Sequence, residues 1–288
     1  MESKSYSVVI PAYNESGAIA AVLEEIFALL QSGIREVIVV DDHSTDGTRE
    51  MARLEKVTVL SNVQNFGYGY SLKKGITAAK HEHIVILDAD GSYPVSEIPK
   101  LMREYEKGFD MIVGARQGAH YHGSLLKRLA RLFFRLISEF TTGRHIPDIN
   151  SGFRIFRKDL AMNYFHTLSS GFSFTTTITL AFMLNAHSVQ YMPIAYHKRS
   201  GRSKVKYLRD TLRSAQIIVE AITHYNPLKL FILCGIAILF SGVLSLVLGL
   251  IIPVWVALLV FSMLVSMILV FALGLVTTFL KFMHNGRS

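Results

Sequence analysis

Short β-branched apolar runs alternate with stretches of helical period over the first 115 residues. Ser7–Ile10, Glu36–Val40, Val57–Leu60, His83–Leu87 and Asp110–Gly114 read as strands. Pro11 is expected to stop the first of them. Between strands, Glu15–Leu30 brings Ile19, Val22, Leu23, Ile26, Leu29 and Leu30 onto one helical face, with Gly33 as its stop. Helices are also expected over 48–54 and 69–80. Strands that alternate with helices predict an α/β fold with a mostly parallel sheet and right-handed crossovers.

The pattern changes after Arg116. Over 124–140, Leu125, Leu129, Leu132, Phe133, Leu136 and Ile137 lie opposite Lys127, Arg128, Arg131 and Arg135. Such a helix suits a membrane interface; a surface helix packed on its own domain is the alternative. Residues 204–225 have a similar pattern. Leu230–Leu280 then runs for 51 residues without Asp, Glu, Lys or Arg. One span needs about 20 apolar residues, so two are expected, over 228–252 and 255–280. Pro253 and Trp255 mark a tight turn between them. The expected organisation is a cytoplasmic domain over 1–226 and a membrane anchor over 227–288. Lys229 at the start of the first span, and Lys281 and Arg287 after the second, place both ends in the cytoplasm. No secretory leader is expected before the first strand. The single cysteine, Cys234, lies in the first span, which fits a reducing compartment.

Composition sharpens this division. The 288 residues carry a net charge of +8, with a mean hydropathy of +0.34. Residues 1–115 are net −6, 116–158 net +7 and 197–209 net +6. The basic segments lie toward the apolar end, where an anionic lipid surface would attract them. Nucleic acid is not an expected partner, because no stacking module or reading helix accompanies the charge. The sequence leaves the oligomeric state open, a homo-oligomer included.

The strongest chemical signal is Asp88-Ala89-Asp90 at the end of the fourth strand. Carboxylates spaced i, i+2 there share one side of the backbone. Like charges brought together are costly unless a cation neutralises them. A hard divalent ion held by one or two carboxylates plus substrate phosphates answers that need. A solvated turn is the plain alternative. Pro11–Glu15, Asp41-Asp42 and Arg116 also fall at strand carboxyl ends, where open α/β sheets bind ligands.

Seven segments resemble one family in order: VVIPAYNES (8–16), VVDDHSTDGT (39–48), NFGYGYSLKKGI (65–76), ILDADGSYP (86–94), GAR (114–116), DINSGFRIFRK (148–158) and RSGRSK (199–204). They resemble inverting family 2 glycosyltransferases of GT-A fold, and among these the polyprenyl-phosphate sugar transferases similar to dolichol-phosphate mannose synthases. The resemblance implies transfer of one sugar from a UDP- or GDP-sugar to a polyprenyl phosphate. Pro11, Tyr13, Glu15, Val40 and Asp42 would line the base and ribose pocket, beside Asp88, Ala89 and Asp90. Asp88 and Asp90 would hold Mg2+ or Mn2+ against the diphosphate. Arg116 would face the phosphates or the sugar. Asp148 and the Ser151–Arg154 turn would border the transfer site, and Arg199, Arg202 and Lys204 would come from a closing loop.

A lipid phosphate is already a dianion near neutral pH, since its second pKa is about 6. Positioning by cations then matters more than a base. Lys127, Arg128, Arg131 and Arg135 are the candidates to recruit it, and Asp148 is the candidate base. A lipid hydroxyl acceptor would make that base indispensable, and a non-catalytic nucleotide-sugar-binding subunit is a third reading. The chain departs from the family at Gly91-Ser92, where many relatives carry Leu-Gln, and at Thr175–Thr177, where an acid is common. Tyr68 is expected to pack, Gly67 and Gly69 to shape a turn before a helix or to contact the donor, and Arg154 to bind a ligand or to pair with Asp148.

Overall fold

The computed structural model of the chain describes residues 4–118, 125–197, 216, 219, 227–250 and 253–285. It divides into two compact units, Met1–Ser214 and Ala215–Ser288.

The first unit is built on a seven-stranded sheet. Its strands are β1 (Tyr6–Ala12), β2 (Ile34–Asp41), β3 (Thr58–Ser61), β4 (His83–Ile86), β5 (Met111–Gln117), β6 (Arg154–Arg157) and β7 (Val189–Ala195). Their order is β3-β2-β1-β4-β6-β5-β7. β6 runs against both neighbours, with Ile84 opposite Phe156 and Ile112 opposite Ile155, and the remaining pairs are parallel. β1 continues through Pro11, which pairs with Val40, so the proline does not end the strand. Its fixed φ is compatible with extended backbone, and the missing N–H costs little so near the strand end. β6 and β7 have no counterpart among the expected strands. Arg154–Arg157 is four residues long with charge at both ends, and Val189–Ala195 contains Pro193.

Helices cover both faces. They are α1 (Ile19–Phe27), α2 (Thr48–Ala52), α3 (Tyr68–Ala78), α4 (Ile98–Tyr105), α5 (Leu125–Thr142), α6 (Lys158–Asn163) and α7 (Phe174–Leu184). Side chains alternate across a strand, and β1 serves two cores accordingly. Val8 and Ile10 pack with Ile19, Leu23 and Ile26 of α1 and with Leu101 of α4. Val9 packs with Val40, with Leu72 and Ile76 of α3, and with Phe174 and Phe182 of α7. A strand buried on both faces needs an uninterrupted apolar run, which the Val-Val-Ile segment supplies. Gly75 lets α3 press onto the sheet, since a side chain there would collide with Val9.

Among the described side chains of α5, Phe134, Ser138 and Thr141 are buried, while Leu132, Leu136 and Phe140 are exposed. Over its described second half the helix therefore turns Ser138 and Thr141 inward beside Phe134, and Leu132, Leu136 and Phe140 outward. Steric fit decides this: the Ser138 and Thr141 hydroxyls bond the carbonyls of Phe134 and Ile137, which satisfies them without a polar neighbour.

The second unit contains α8 (Pro227–Leu248) and α9 (Val254–Asn285). Within α9, Val254–Val276 is long and apolar enough by length and composition to cross a membrane. The apolar part of α8, Ile232–Val247, is shorter. Leu239, Phe240, Leu246, Met263 and Val270 are exposed. Of the expected 204–225 helix, Gln216 and Val219 are described, both helical.

Candidate active site

The strand order reverses between β1 and β4. β2 and β3 extend the sheet on one side of β1, and β4 begins the other. A crevice outside the carboxyl ends at such a switch point is where open α/β sheets bind ligands. Pro11–Glu15 leaves β1 there, and Asp88–Asp90 leaves β4.

Each acid of the pair is held by its neighbours. Gly91, at φ +70°, turns the chain back after Asp90. Ser92 then donates both its N–H (3.0 Å) and its hydroxyl (2.5 Å) to Asp90 Oδ1. The Gly91-Ser92 departure thus serves the orientation of Asp90. Asp88 Oδ1 accepts the Tyr68 hydroxyl at 2.8 Å. Burial and the Asp88 charge push the Tyr68 phenol well above its ordinary pKa, so it remains a proton donor at neutral pH. Gly152 lies against the same carboxylate: a Cβ there would fall 2.7 Å from Oδ1 and 2.8 Å from Oδ2. Its N–H donates to the Tyr93 hydroxyl at 2.8 Å.

These residues fit a hard divalent ion. The donors are carboxylate oxygens two residues apart at the switch point, and glycine keeps the space beside Asp88 clear. Among the described residues no third His, Cys, Asp or Glu joins them in a cluster. That matches a site completed by substrate phosphates more than a closed protein cage.

The β1 and β2 exits are stitched together. Glu15 N–H donates to Thr48 Oγ1 (2.8 Å), Asn14 N–H to Ser44 Oγ (3.0 Å), and Thr45 N–H to Asn14 Oδ1 (2.8 Å). Tyr13 and Glu15 are half-buried here and Pro11 is buried. Asp42 is committed elsewhere. Its oxygens accept Asn62 Nδ2 (2.7 Å), Phe66 N–H (2.9 Å) and Gly67 N–H (2.8 Å), organising the loop that enters α3. The side chains of Val40 and Ala89 lie in the two apolar cores, so neither offers a side chain to a ligand.

Arg116 and Asp148 meet across 32 residues of sequence. The guanidinium donates Nε to Oδ2 at 2.7 Å and Nη2 to Oδ1 at 2.9 Å. Arg154 does not pair directly with Asp148. Fully buried, it donates to the carbonyls of Ser151 (2.7 Å) and Ile149 (2.8 Å) and to Thr179 Oγ1 (2.6 Å), tying the 149–151 turn to α7. Ser151 Oγ in turn donates to the Gly114 carbonyl at 2.6 Å, fixing this turn beside the β5 exit. Gly69 sits in the first turn of α3 with a backbone neighbour on its open side. A Cβ would collide with the Ser169 carbonyl, so glycine is required for close packing rather than for a turn.

Of the basic candidates on α5, Arg135 pairs with Glu139 at 3.2 Å. The side chains of Lys127, Arg128 and Arg131 lie outside the described residues, as do Arg199, Arg202 and Lys204. His197 N–H, just before that last segment, donates to the Ser92 carbonyl at 2.9 Å, which joins the β7 exit to the Asp90 turn. Sequence reasoning missed the Tyr68–Asp88 bond and the Arg116–Asp148 pair. Its one available signal for the first was a tyrosine inside a family segment.

Comparison with known proteins places this geometry. The profile of the family described as Glycosyl transferase family 2 matches residues 7–165. The low-salt glycan biosynthesis hexosyltransferase Agl6 of Haloferax volcanii is 30% identical over 84% of this chain, which spans 59% of that protein's length. The dolichyl-phosphate hexose transferase of the same organism is 30% identical over 69% of this chain and 86% of its own. Among solved structures, glucosyl-3-phosphoglycerate synthase from Mycobacterium tuberculosis, crystallised with Mn2+, UDP and glucosyl-3-phosphoglycerate, superposes with a TM-score of 0.60. It is 20% identical, over 77% of this chain and 80% of that one. That likeness establishes the α/β GT-A-like fold with its mostly parallel sheet. On the matched span and the relatives' identity, the chain belongs to glycosyl transferase family 2.

Proposed function

We propose that this protein transfers a single sugar, with inversion, from a UDP- or GDP-sugar to a polyprenyl phosphate at the cytoplasmic membrane face. The observation that carries the reading is the Asp88–Asp90 pair at the switch point, with Arg116 near the carboxyl end of β5, two strands along the sheet from β4. The name of the dolichyl-phosphate hexose transferase supports the acceptor class. Asp88 and Asp90 would hold Mg2+ or Mn2+, which supplies Lewis-acid neutralisation of the diphosphate leaving group. Ser92 and Tyr68 keep the two carboxylates aimed. Arg116 adds fixed positive charge where negative charge grows. The 13–16 and 44–48 loops form the nucleotide side of the crevice. A lipid phosphate arrives ionised, so its attack needs alignment more than proton removal.

The same reading assigns 1–226 to the cytoplasmic catalytic domain and 227–288 to a two-span anchor with both ends cytoplasmic. The uncharged 51 residues and the exposed apolar surfaces of α8 and α9 support it. The outward stripe of α5 supports an interface position for that helix. Arg135, with Lys127, Arg128 and Arg131, would draw the acceptor phosphate to it.

Membranes containing the chain, supplied with radiolabelled UDP- and GDP-sugars and dolichyl phosphate, should yield labelled lipid. Asp90→Asn should lower that yield by roughly 100-fold while the chain stays in the membrane fraction. Undiminished labelling by the variant, or by the unchanged chain in excess EDTA, refutes the metal assignment.

A further inference from the structure

We infer that Asp148 is a positioning residue that aims Arg116, and not the base of the reaction. The inference rests on the transfer reading above. A carboxylate offers about four acceptor positions on its two oxygens. In Asp148 four N–H groups approach them. Arg116 Nε (2.7 Å) and the Arg116 backbone N–H (3.1 Å) go to Oδ2. Arg116 Nη2 (2.9 Å) and the Asn150 backbone N–H (3.2 Å) go to Oδ1. To take a proton from an acceptor, this carboxylate must first release a donor. Two of those donors belong to a guanidinium that never gives up its charge under working conditions.

The arrangement suits a mount. Asp148 itself is buried, and its own backbone is fixed by the 149–151 turn that Arg154 anchors. Arg116 takes two-point contact from the carboxylate along one edge, and the Tyr196 ring lies 5.3 Å from its Cζ. Fork against fork plus a ring on one side fixes both the position and the plane of the guanidinium. A lysine in that place would keep the charge and lose the plane.

The test is a double-mutant cycle in membranes, read as sugar transfer from radiolabelled UDP-glucose and GDP-mannose to dolichyl phosphate. Arg116→Ala and Asp148→Asn should each lower the rate by roughly 100-fold. The double variant should be no slower than Arg116→Ala alone, because Asp148 acts through Arg116. Added guanidinium ion should restore part of the Arg116→Ala rate while Asp148 is present, and none in the double variant. Asp148→Asn should also keep the shape of the rate–pH profile. Additive losses, or an acidic limb that vanishes in Asp148→Asn, overturn the inference in favour of a base. If the unchanged chain turns over neither donor, the transfer reading fails with them. The pairing is then judged by the 15N resonance of the Arg116 Nε–H group in detergent. It should exchange slowly with solvent in the unchanged chain and rapidly in Asp148→Asn, and no change between the two overturns the pairing.

Discussion

A methyl group at residue 152 would fall 2.7 Å from Asp88 Oδ1, an oxygen that already accepts the Tyr68 hydroxyl, while the residue 152 N–H is held by the Tyr93 hydroxyl. The carboxylate has to swing away or the turn has to shift. Gly152→Ala should therefore weaken Mn2+ binding, measured by electron paramagnetic resonance on purified protein, by roughly tenfold or more, as disturbing a ligand's support commonly does. Unchanged Mn2+ affinity would show that this contact does not set the Asp88 position. At this scale the sequence was readable where chemistry was local. Asp88 and Asp90 stand two apart at the mouth of an apolar run, and that spacing alone pointed to a cation. Ser92 stood out as a departure, though its grip on Asp90 did not. Partners far apart in the chain left no trace: nothing in the spacing of Arg116 and Asp148 announces a two-point ion pair. Val40, Ala89 and Asp42 show how a motif position can serve the fold as well. They lie within motif segments, yet packing and loop hydrogen bonds claim their side chains.

Among the elements, α2 is the shortest of the first three helices and depends on one acid at its entrance. Asp46 accepts Thr48 N–H (3.1 Å) and Thr48 Oγ1, and also Ser16 N–H (3.2 Å) and Ser16 Oγ (2.9 Å). Partial burial alone would raise its pKa, but these hydrogen bonds outweigh it and hold the carboxyl below its ordinary value. A folded-state pKa below the unfolded one contributes stability above the unfolded value, about 3.9. The contribution fades as pH falls through the lower folded value. Asp46→Asn should therefore melt below the unchanged protein at pH 7, and the two melting temperatures should converge as pH falls below about 4. A constant gap at every pH would rule out the charge as the cause. Five strands and the first three helices between them were legible because their runs were apolar and periodic; α4, eight residues with Pro99 at its start, was not expected. β6 escaped because four residues carrying arginine at each end give no run. On α5 the exposed Leu132, Leu136 and Phe140 lie as an interface helix needs; what the pattern did not announce is that Ser138 and Thr141, their hydroxyls satisfied on their own helix, turn inward.

For the molecule as a whole, the membrane assignment makes a simple demand. Val254–Val276, at 1.5 Å per residue, is about 34 Å long, close to the thickness of a hydrocarbon core. Washing membranes with alkaline carbonate should leave the chain in the pellet, and detergent should release it. Recovery in the carbonate wash would reduce the association to a peripheral one. The division between an acidic nucleotide half and basic, apolar later segments was plain from composition, because charge adds up without knowledge of the fold. The sheet order was not, since it depends on a strand inserted between β4 and β5 from more than 35 residues further on. That insertion has a consequence for synthesis. Until residue 157 has left the ribosome, β4 presents an unsatisfied edge and β5 has no neighbour on that side, so the nascent chain carries an open template for wrong pairing. The acidic pair that follows β4 is thus made about 60 residues before the turn that shapes its surroundings, and a ribosome paused in that interval would hold an acidic pair already written and a sheet not yet able to close around it.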